Sequence, residues 1–576
     1  MRTWCALLAV AGGGVFFSSF WDGKPHGRID PFSPIGASAP GIEAIYGIRP
    51  FPYKAAGLSE RAAAAYLLSR FTYGPTPGQV DEVMRMGLEN WFRQQLEARL
   101  PDDSLNTLLA GYDALKLSNA GIAQLYPGPG ELLRMARRDG TIKSDSAIAD
   151  RKVYREALQA YMQEKGLKPQ QELFRQFFAQ KILRAAYSNN QLLEVMTAFW
   201  FNHFNVSVTK NDCADFIPDY ERDVIRPNAL GKFSDLLLAT AKSPAMLFYL
   251  DNFSSAAPGG DGGRGLNENY AREVMELHTL GVDGGYTQHD VMEAARVLTG
   301  WTVYPLRNNG NKYGARMGPF TDEQLARRGF VHEGDFLFNA NRHDNGEKII
   351  LGRHFGLNGG YQEGVDLLEM LAHHTSTAHF ICRKIAVRFV SDDPPQSLVD
   401  KMAKTFLDKG GNIRQVLITM VTAPEFWAAP AIRAKIKSPF ELAISTVRSL
   451  HASIDHPFAL YSWVNRMGEK LYSYQAPTGF PDKGQYWINT GALLNRMNFG
   501  LAIAAGRVPG VKINLVALNN NREPESAQAA LLTYGQIMMP GCDLDETVKR
   551  LTPMLNDPDL ASVVGAIIGS PEYQRR

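Results

Sequence analysis

Over most of the chain, apolar residues recur at helical rather than strand spacing. SERAAAAYLLSRF (59–71) starts a helix with Ser59 as its cap. PTPGQVDEVMRMGLENWFRQQL (75–96) restarts one after two prolines, and the pattern runs on through QQELFRQFFAQKILRAAYSNNQLLEVMTAFWFNHF (170–204). Three segments share one layout: GKFSDLLLATAKSPAM (231–246), GNIRQVLITMVTAPEF (411–426) and DLASVVGAIIGSPEY (559–573). Each predicts an amphipathic helix stopped by a proline, which disfavours helical backbone in the residue before it. Their irregular spacing excludes a tandem solenoid.

Strand signals are few. VSVT (206–209) and FLFNANRHDNGEKIILG (336–352) are the candidates, the latter as a hairpin turning at Asp344 to Gly346. Residues 306–331 are polar and read as a long excursion. The predicted fold class is mainly α: a large multi-helix, bundle-like body with a small β hairpin insertion at about 302–352.

The first residues change the picture. MRTWCALLAVAGGGVFFSSFW has one early arginine and no charge from Thr3 to Trp21, the layout of a secretory leader. Residues 1–21 are thus expected to be a signal peptide cleaved near Ser18 and Ser19, or an uncleaved N-terminal anchor; 22–58 an irregular leader segment; and 59–576 the α-rich domain. The expected location is periplasmic or secreted, with membrane contact only through an uncleaved N-terminal segment. A net charge of +2, with no basic block, argues against nucleic acid. Cys5, Cys213, Cys382 and Cys542 have no paired spacing, so they read as small buried apolar residues rather than a zinc-thiolate site.

GLNENYAREVMELHTLGV (265–282) carries the densest chemistry. Asn267 is placed to cap a helix from about Glu268 to Leu280, with Gly281 just past its end. Glu276 and His278 are then about 160° apart around the axis, so one ion cannot take both. Asn269, Glu273 and Glu276 share the polar face, with Arg272 expected to orient the acidic pair, and His278 falls on the apolar side. The alternative is a solvated face with an internal Arg–Glu pair.

AFWFNHFNV (198–206) sets Asn202 and His203 among aromatics, either as core groups or as the wall of a cleft. His343, Asp344 and Lys348 lie on the proposed hairpin turn, where they serve acid–base work or simply make the turn. HHTSTAHFICRKIAVRF puts His379 and Arg383 one turn apart, and Lys384 and Arg388 in a parallel row: a basic solvated face or a contact for an anionic substrate. No H-E-x-x-H, G-x-S-x-G or phosphate-loop pattern is present.

Several stretches together resemble the exported bacterial family called domain of unknown function 1800. They include LLSRFTYGPTP, FWFNHFNV, GLNENYAREVMELHTLGV, YTQHDVMEAARVLTGW, KIKSPFEL and PTGFPDKGQYWINTGALLNR, in order from about residue 60. The resemblance implies export, and a partner in a second exported family related in fold to sulfatases and alkaline phosphatases. It brings no catalytic residue set. The family's usual His-Pro-Ala-Thr-Ala stands here as His374-Thr375-Ser376-Thr377-Ala378.

The residues themselves lead to an exported enzyme with a Glu/His/Asn polar cleft and metal-assisted or acid–base, hydrolase-like chemistry. Glu273 or Glu276 is the expected base, with Arg272, His343 and Asp344 in the catalytic set. Asn202, Asn269 and Lys348 are expected to bind substrate, and His203, Glu276 and His343 to hold a divalent metal ion. The alternative is a non-catalytic exported scaffold binding a partner protein or a cell-envelope polymer.

Overall fold

The computed structural model describes residues 48–142, 151–210, 213–259, 265–306, 320–555 and 559–576. The expected leader, residues 1–21, most of the 22–58 segment and half of the polar excursion lie outside these residues. Helices form the body, as the spacing predicts. Ser59 accepts a hydrogen bond from the Ala62 N–H to open Glu60–Phe71. The 170–204 pattern forms two helices, Gln170–Tyr187 and Gln191–His203. Among the described residues no helix is long and apolar enough to cross a membrane.

The three proline-stopped segments form Phe233–Lys242, Ile413–Thr422 and Leu560–Gly569. Each ends where the residue before proline turns extended: Ser243, Ala423 and Ser570. The first two meet head to head. The Phe233 N–H donates to Gly411 O and the Ile413 N–H to Gly231 O, both at 3.0 Å. The third packs on Thr490–Ala504, where a Cβ on Gly500 would fall 2.9 Å from Ile568 Cγ2, so only glycine allows the approach.

Three small antiparallel sheets lie among these helices. Trp301–Val303 and Val331–Glu333 flank Phe336–Phe338; Lys348–Ile350 pairs with Arg353–Phe355; Ser453–Ile454 pairs with Val511–Lys512. The expected hairpin turning at Asp344 to Gly346 is not formed, because its two arms join different sheets. The reversal comes instead at Leu351 and Gly352, whose φ of 50° and 78° match a two-residue turn with both central residues left-handed. Val206–Thr209 is no strand either. Ser207 Oγ bonds Thr209 Oγ1 at 2.8 Å and accepts from the Thr209 N–H, so local side-chain bonds replace a ladder.

One core runs through most of the chain, with Trp200, Trp301 and Trp427 fully buried within it. Phe51 and Tyr53 stack on Trp427 and bring the start of the described chain onto that core.

Candidate functional site

The GLNENYAREVMELHTLGV helix differs from the uniform α-helix its spacing predicts. Asn269–Glu273 is α-helical, and Val274–Thr279 widens into a π-helix whose extra residue Thr279 caps by donating to Val274 O at 2.6 Å. Asn267 Oδ1 accepts from the Asn269 N–H, and Gly281 ends the helix at φ 87°. His278 is buried and Glu276 half-exposed. Arg272 pairs with Glu268 at 3.1 Å and with Gln288, so it does not orient Glu273 and Glu276. Burial raises the Glu273 carboxyl above its usual range, with help from Glu276 and against Arg272. Glu276 accepts a bond from Tyr286, and Asn269 donates to Leu250 O.

His203 is buried beside this helix but faces away from its acids. Its Nε2 lies 3.1 Å from His278 O, and the Lys384 ammonium donates to its Nδ1 at 2.9 Å. Burial first, then Lys384, holds this histidine well below its ordinary value, so it stays neutral. Lys384 and Arg388 thus form an inward row of Thr375–Phe389, while His379 and Arg383 face outward toward Asp400 and Asp393.

His343, Asp344 and Lys348 form a separate knot. His343 Nε2 and Lys348 Nζ both reach Glu363 Oε1 at 2.5 Å, and His343 Nδ1 faces Thr299 O at 2.9 Å. Arg296 grips Asp344 with two bonds of 2.9 and 3.0 Å and holds its carboxyl below the usual range. His343, Lys348 and Asp344 all tie the β segment to its helices, while Glu363 Oε2 is buried without a hydrogen-bond partner. Among the described residues no contact joins Glu273 or Glu276 to His203 or His343, and no three His, Cys, Asp or Glu side chains form a set that could hold a metal ion. The His203, Glu276 and His343 metal set is therefore not assembled.

Asn202 does reach a cavity, as part of a clamp. Its Oδ1 accepts from the Phe480 N–H at 2.7 Å and its Nδ2 donates to Phe480 O at 2.8 Å. Asn205 donates to Tyr474 O and Ala476 O at 3.0 and 2.8 Å. A Cβ on Gly479 would lie 2.1 Å from Asn202 O, which explains the glycine in PTGFPDKG. Both amide functions of Asn202 are spent on this loop rather than held free for substrate. Behind it lies a chamber of about 100 Å³ with Lys181, Arg388, Glu469 and Asp482 in its walls. Burial raises the Glu469 carboxyl, although the Phe440 N–H donates to it at 2.8 Å.

Glu441 and Tyr73 separate this chamber from a much larger cavity of about 430 Å³. The larger cavity lies between Glu60–Phe71, the start of Pro439–Ser449, the Met539–Leu544 loop and the Glu572–Arg576 segment. KIKSPFEL builds its floor. Ser438 and Glu441 form a capping box, with the Ser438 N–H on Glu441 Oε2 at 2.8 Å and Pro439 in the first turn. That leaves Glu441 Oε1 for Arg388 at 2.6 Å and Arg576 at 2.9 Å. Burial alone would raise this carboxyl; the two guanidiniums overcome it and hold it at about 2.

Lys437, just before the cap, is 8% exposed and lines the cavity with its amine 3.8 Å from the Tyr573 ring centre. Among the described residues no carboxylate lies within ion-pair distance of it. Burial, then Arg433, brings its amine down to about 7. Arg433, at φ 55°, also has no carboxylate partner; it meets Cys542 Sγ and Glu572 O. Burial pushes the Cys542 thiol up against the pull of Arg433 and Lys437. Tyr573 shares a 2.9 Å hydrogen bond with Ser449.

None of these cavity residues stood out by metal or nucleophile spacing. The one available signal was S-P-F-E, a capping box preceded by the alternating lysines of K-I-K. No curated protein and no solved structure matches the chain. What does match, over residues 66–575 and so across the fold and both cavities, is the profile of the family described as "Protein of unknown function (DUF1800)", and the chain belongs to that family.

Proposed function

We propose that the protein is an enzyme that performs acid–base chemistry on a small substrate seated in the 430 Å³ cavity, rather than in the cleft expected around Glu273 and His343. A single observation carries this reading: Lys437 presents a buried amine, without a carboxylate partner, to a roomy and mostly apolar space. An amine brought down to about 7 holds and releases a proton near neutrality, as a general base must. Tyr573 and Ser449 offer a hydroxyl pair to relay that proton, and Arg433 supplies a cation for an acidic end of the substrate. The charge-free leader from Thr3 to Trp21 favours action outside the cytoplasm. No divalent metal enters this reading.

Anilinonaphthalene sulfonate, an apolar body with an anionic group, is the test probe. Ala62→Trp, which fills the cavity rim, should weaken its binding about tenfold or more, and Lys437→Met should weaken it less. Binding that ignores Ala62→Trp would sink the reading.

One observation favours the scaffold alternative. Thr490–Ala504 leaves Leu493, Leu494, Met497 and Leu501 exposed on its surface. The partner on that reading is the second exported protein, related in fold to sulfatases and alkaline phosphatases. Leu494→Glu with Met497→Glu should then abolish co-purification with it and leave dye binding unchanged.

A further inference from the structure

We infer that Lys437 is a covalent nucleophile, forming an imine with a carbonyl compound of largely apolar body held in the 430 Å³ cavity. The inference rests on the cavity reading above and adds to it the class of substrate and the bond formed.

Comparison among the buried lysines points to Lys437. Lys348 and Lys435 are each 1% exposed and sit 2.5 Å from a carboxylate, Glu363 and Asp392. Those two ammoniums are neutralised by structural partners and line neither of the two cavities. Lys437 has the ring face of Tyr573 on one side and the cavity on the other. The ring face favours the charged amine. Loss of water and the neighbouring Arg433 and Arg576 charges work the other way and dominate. Desolvation and an adjacent cation are the two features that make a lysine amine nucleophilic toward carbonyls.

The surroundings fit each stage of the step. The Lys437 Nζ lone pair adds to the carbonyl carbon, and a C–N bond forms as the C=O π bond opens. The carbonyl oxygen then leaves as water, carrying the two hydrogens the amine gives up, and a C=N bond remains. Atoms and electrons balance without oxidant or reductant. The departing oxygen needs a proton donor, and Ser445, Ser449 and Tyr573 are hydroxyl residues of the same cavity wall. The apolar walls favour dehydration over the hydrated adduct. Cys542 also lines the cavity, but burial keeps its thiol protonated and Arg433 lies against its sulfur. A reversible thiol adduct would leave no trace after reduction.

Reductive trapping tests the inference. The full chain is incubated with para-carboxybenzaldehyde and cyanoborohydride at neutral pH, digested, and mapped by mass spectrometry. An amine near 7 has about a thousandfold larger neutral fraction there than an ordinary lysine. Lys437 is therefore expected to carry the benzyl adduct at least about tenfold above any exposed lysine, the margin narrowed by access. Ala62→Trp should protect Lys437 while exposed lysines label as before. This arm holds even if Lys437→Met fails to fold.

Labelling confined to exposed lysines, with dye still bound in the cavity, overturns the imine and leaves the cavity reading standing. Lys437 labelling that Ala62→Trp does not block also overturns it, because the aldehyde then reaches the amine by another route. Dye binding insensitive to Ala62→Trp removes the cavity reading itself.

Discussion

Two buried glutamates invite comparison. Glu221 sits in a second π-helix, Tyr220–Ile225, where Gln180 donates at 3.1 Å, Tyr472 at 2.7 Å, Arg226 at 3.1 Å, and Lys181 lies at 3.5 Å. Arg226 also meets Glu194, and so does Arg184 at 3.9 Å. Every cation there touches a carboxylate. Glu441 likewise binds two guanidiniums, but more cations surround it than anions can pair. Arg70 is fully buried with Nε and Nη1 lacking partners, and Lys437 and Arg433 have no carboxylate. The first network closes on itself and knits helices. The second leaves Lys437 and Arg433 without a carboxylate partner beside a cavity, and the proposed function rests on that difference.

The largest effect should come from removing the anions. Glu441→Gln takes the shared carboxylate from the buried Arg388 and Arg576, and Glu221→Gln takes one from Lys181 and from Arg226, which keeps Glu194. Each should cost up to about 3–5 kcal/mol in denaturant unfolding, the first more than the second. A loss under about 1 kcal/mol at either site would break the comparison. Below these come two substitutions of opposite sign. Lys435→Met breaks the pair with Asp392, whose carboxylate is partly exposed, and should cost about 1–2 kcal/mol. Lys437→Met removes an amine with no such partner and should leave stability unchanged or raise it by about 1 kcal/mol, while abolishing the imine adduct.

The pH dependence sharpens the same contrast. The Lys437 amine is lower in the folded chain, at about 7, than the usual 10.4 or so of the unfolded chain. Across that window the unfolded chain binds more protons, so this group makes stability rise with pH. Its contribution is complete above the unfolded value and lost as pH falls toward 7. The difference in unfolding free energy between wild type and Lys437→Met should carry this slope, up to about 1.4 kcal/mol per pH unit. A flat difference would mean that water reaches the amine. The smallest effect belongs to Glu276→Ala, which gives up one 3.3 Å bond from Tyr286 at a half-exposed position and should cost about 0.5 kcal/mol or less.

Fold class was legible from spacing. The three proline-stopped helices, the cap at Ser59 and the burial of His278 all follow from local pattern and stereochemistry. The hairpin at Asp344 was not, because turn residues mark a reversal without saying which strand is the partner. The π turn at Val274 escaped too, since one extra residue leaves an apolar face looking continuous. For the site, an aromatic run drew attention to His203 and a polar turn to His343, yet burial gave each a structural partner. Lys437 looked ordinary in the chain. What isolates it is that none of the carboxylates lining the cavity, Glu441, Asp543 and Glu572, comes within ion-pair distance, and such spacing between distant elements leaves no mark in sequence.

Asn202 and Asn205 stitch one loop to the end of Gln191–His203 at points three residues apart, through four hydrogen bonds. The loop is also held at Gln475, whose carbonyl accepts from the Tyr249 hydroxyl at 2.7 Å. Phe480, Pro481 and Asp482 wall the smaller chamber, so releasing the Asn202 clamp would widen it. The Phe480 amide is bonded to a side chain rather than to a helix or sheet. Its hydrogen exchange should therefore report release of the Asn202 clamp, and should speed up in Asn202→Ala.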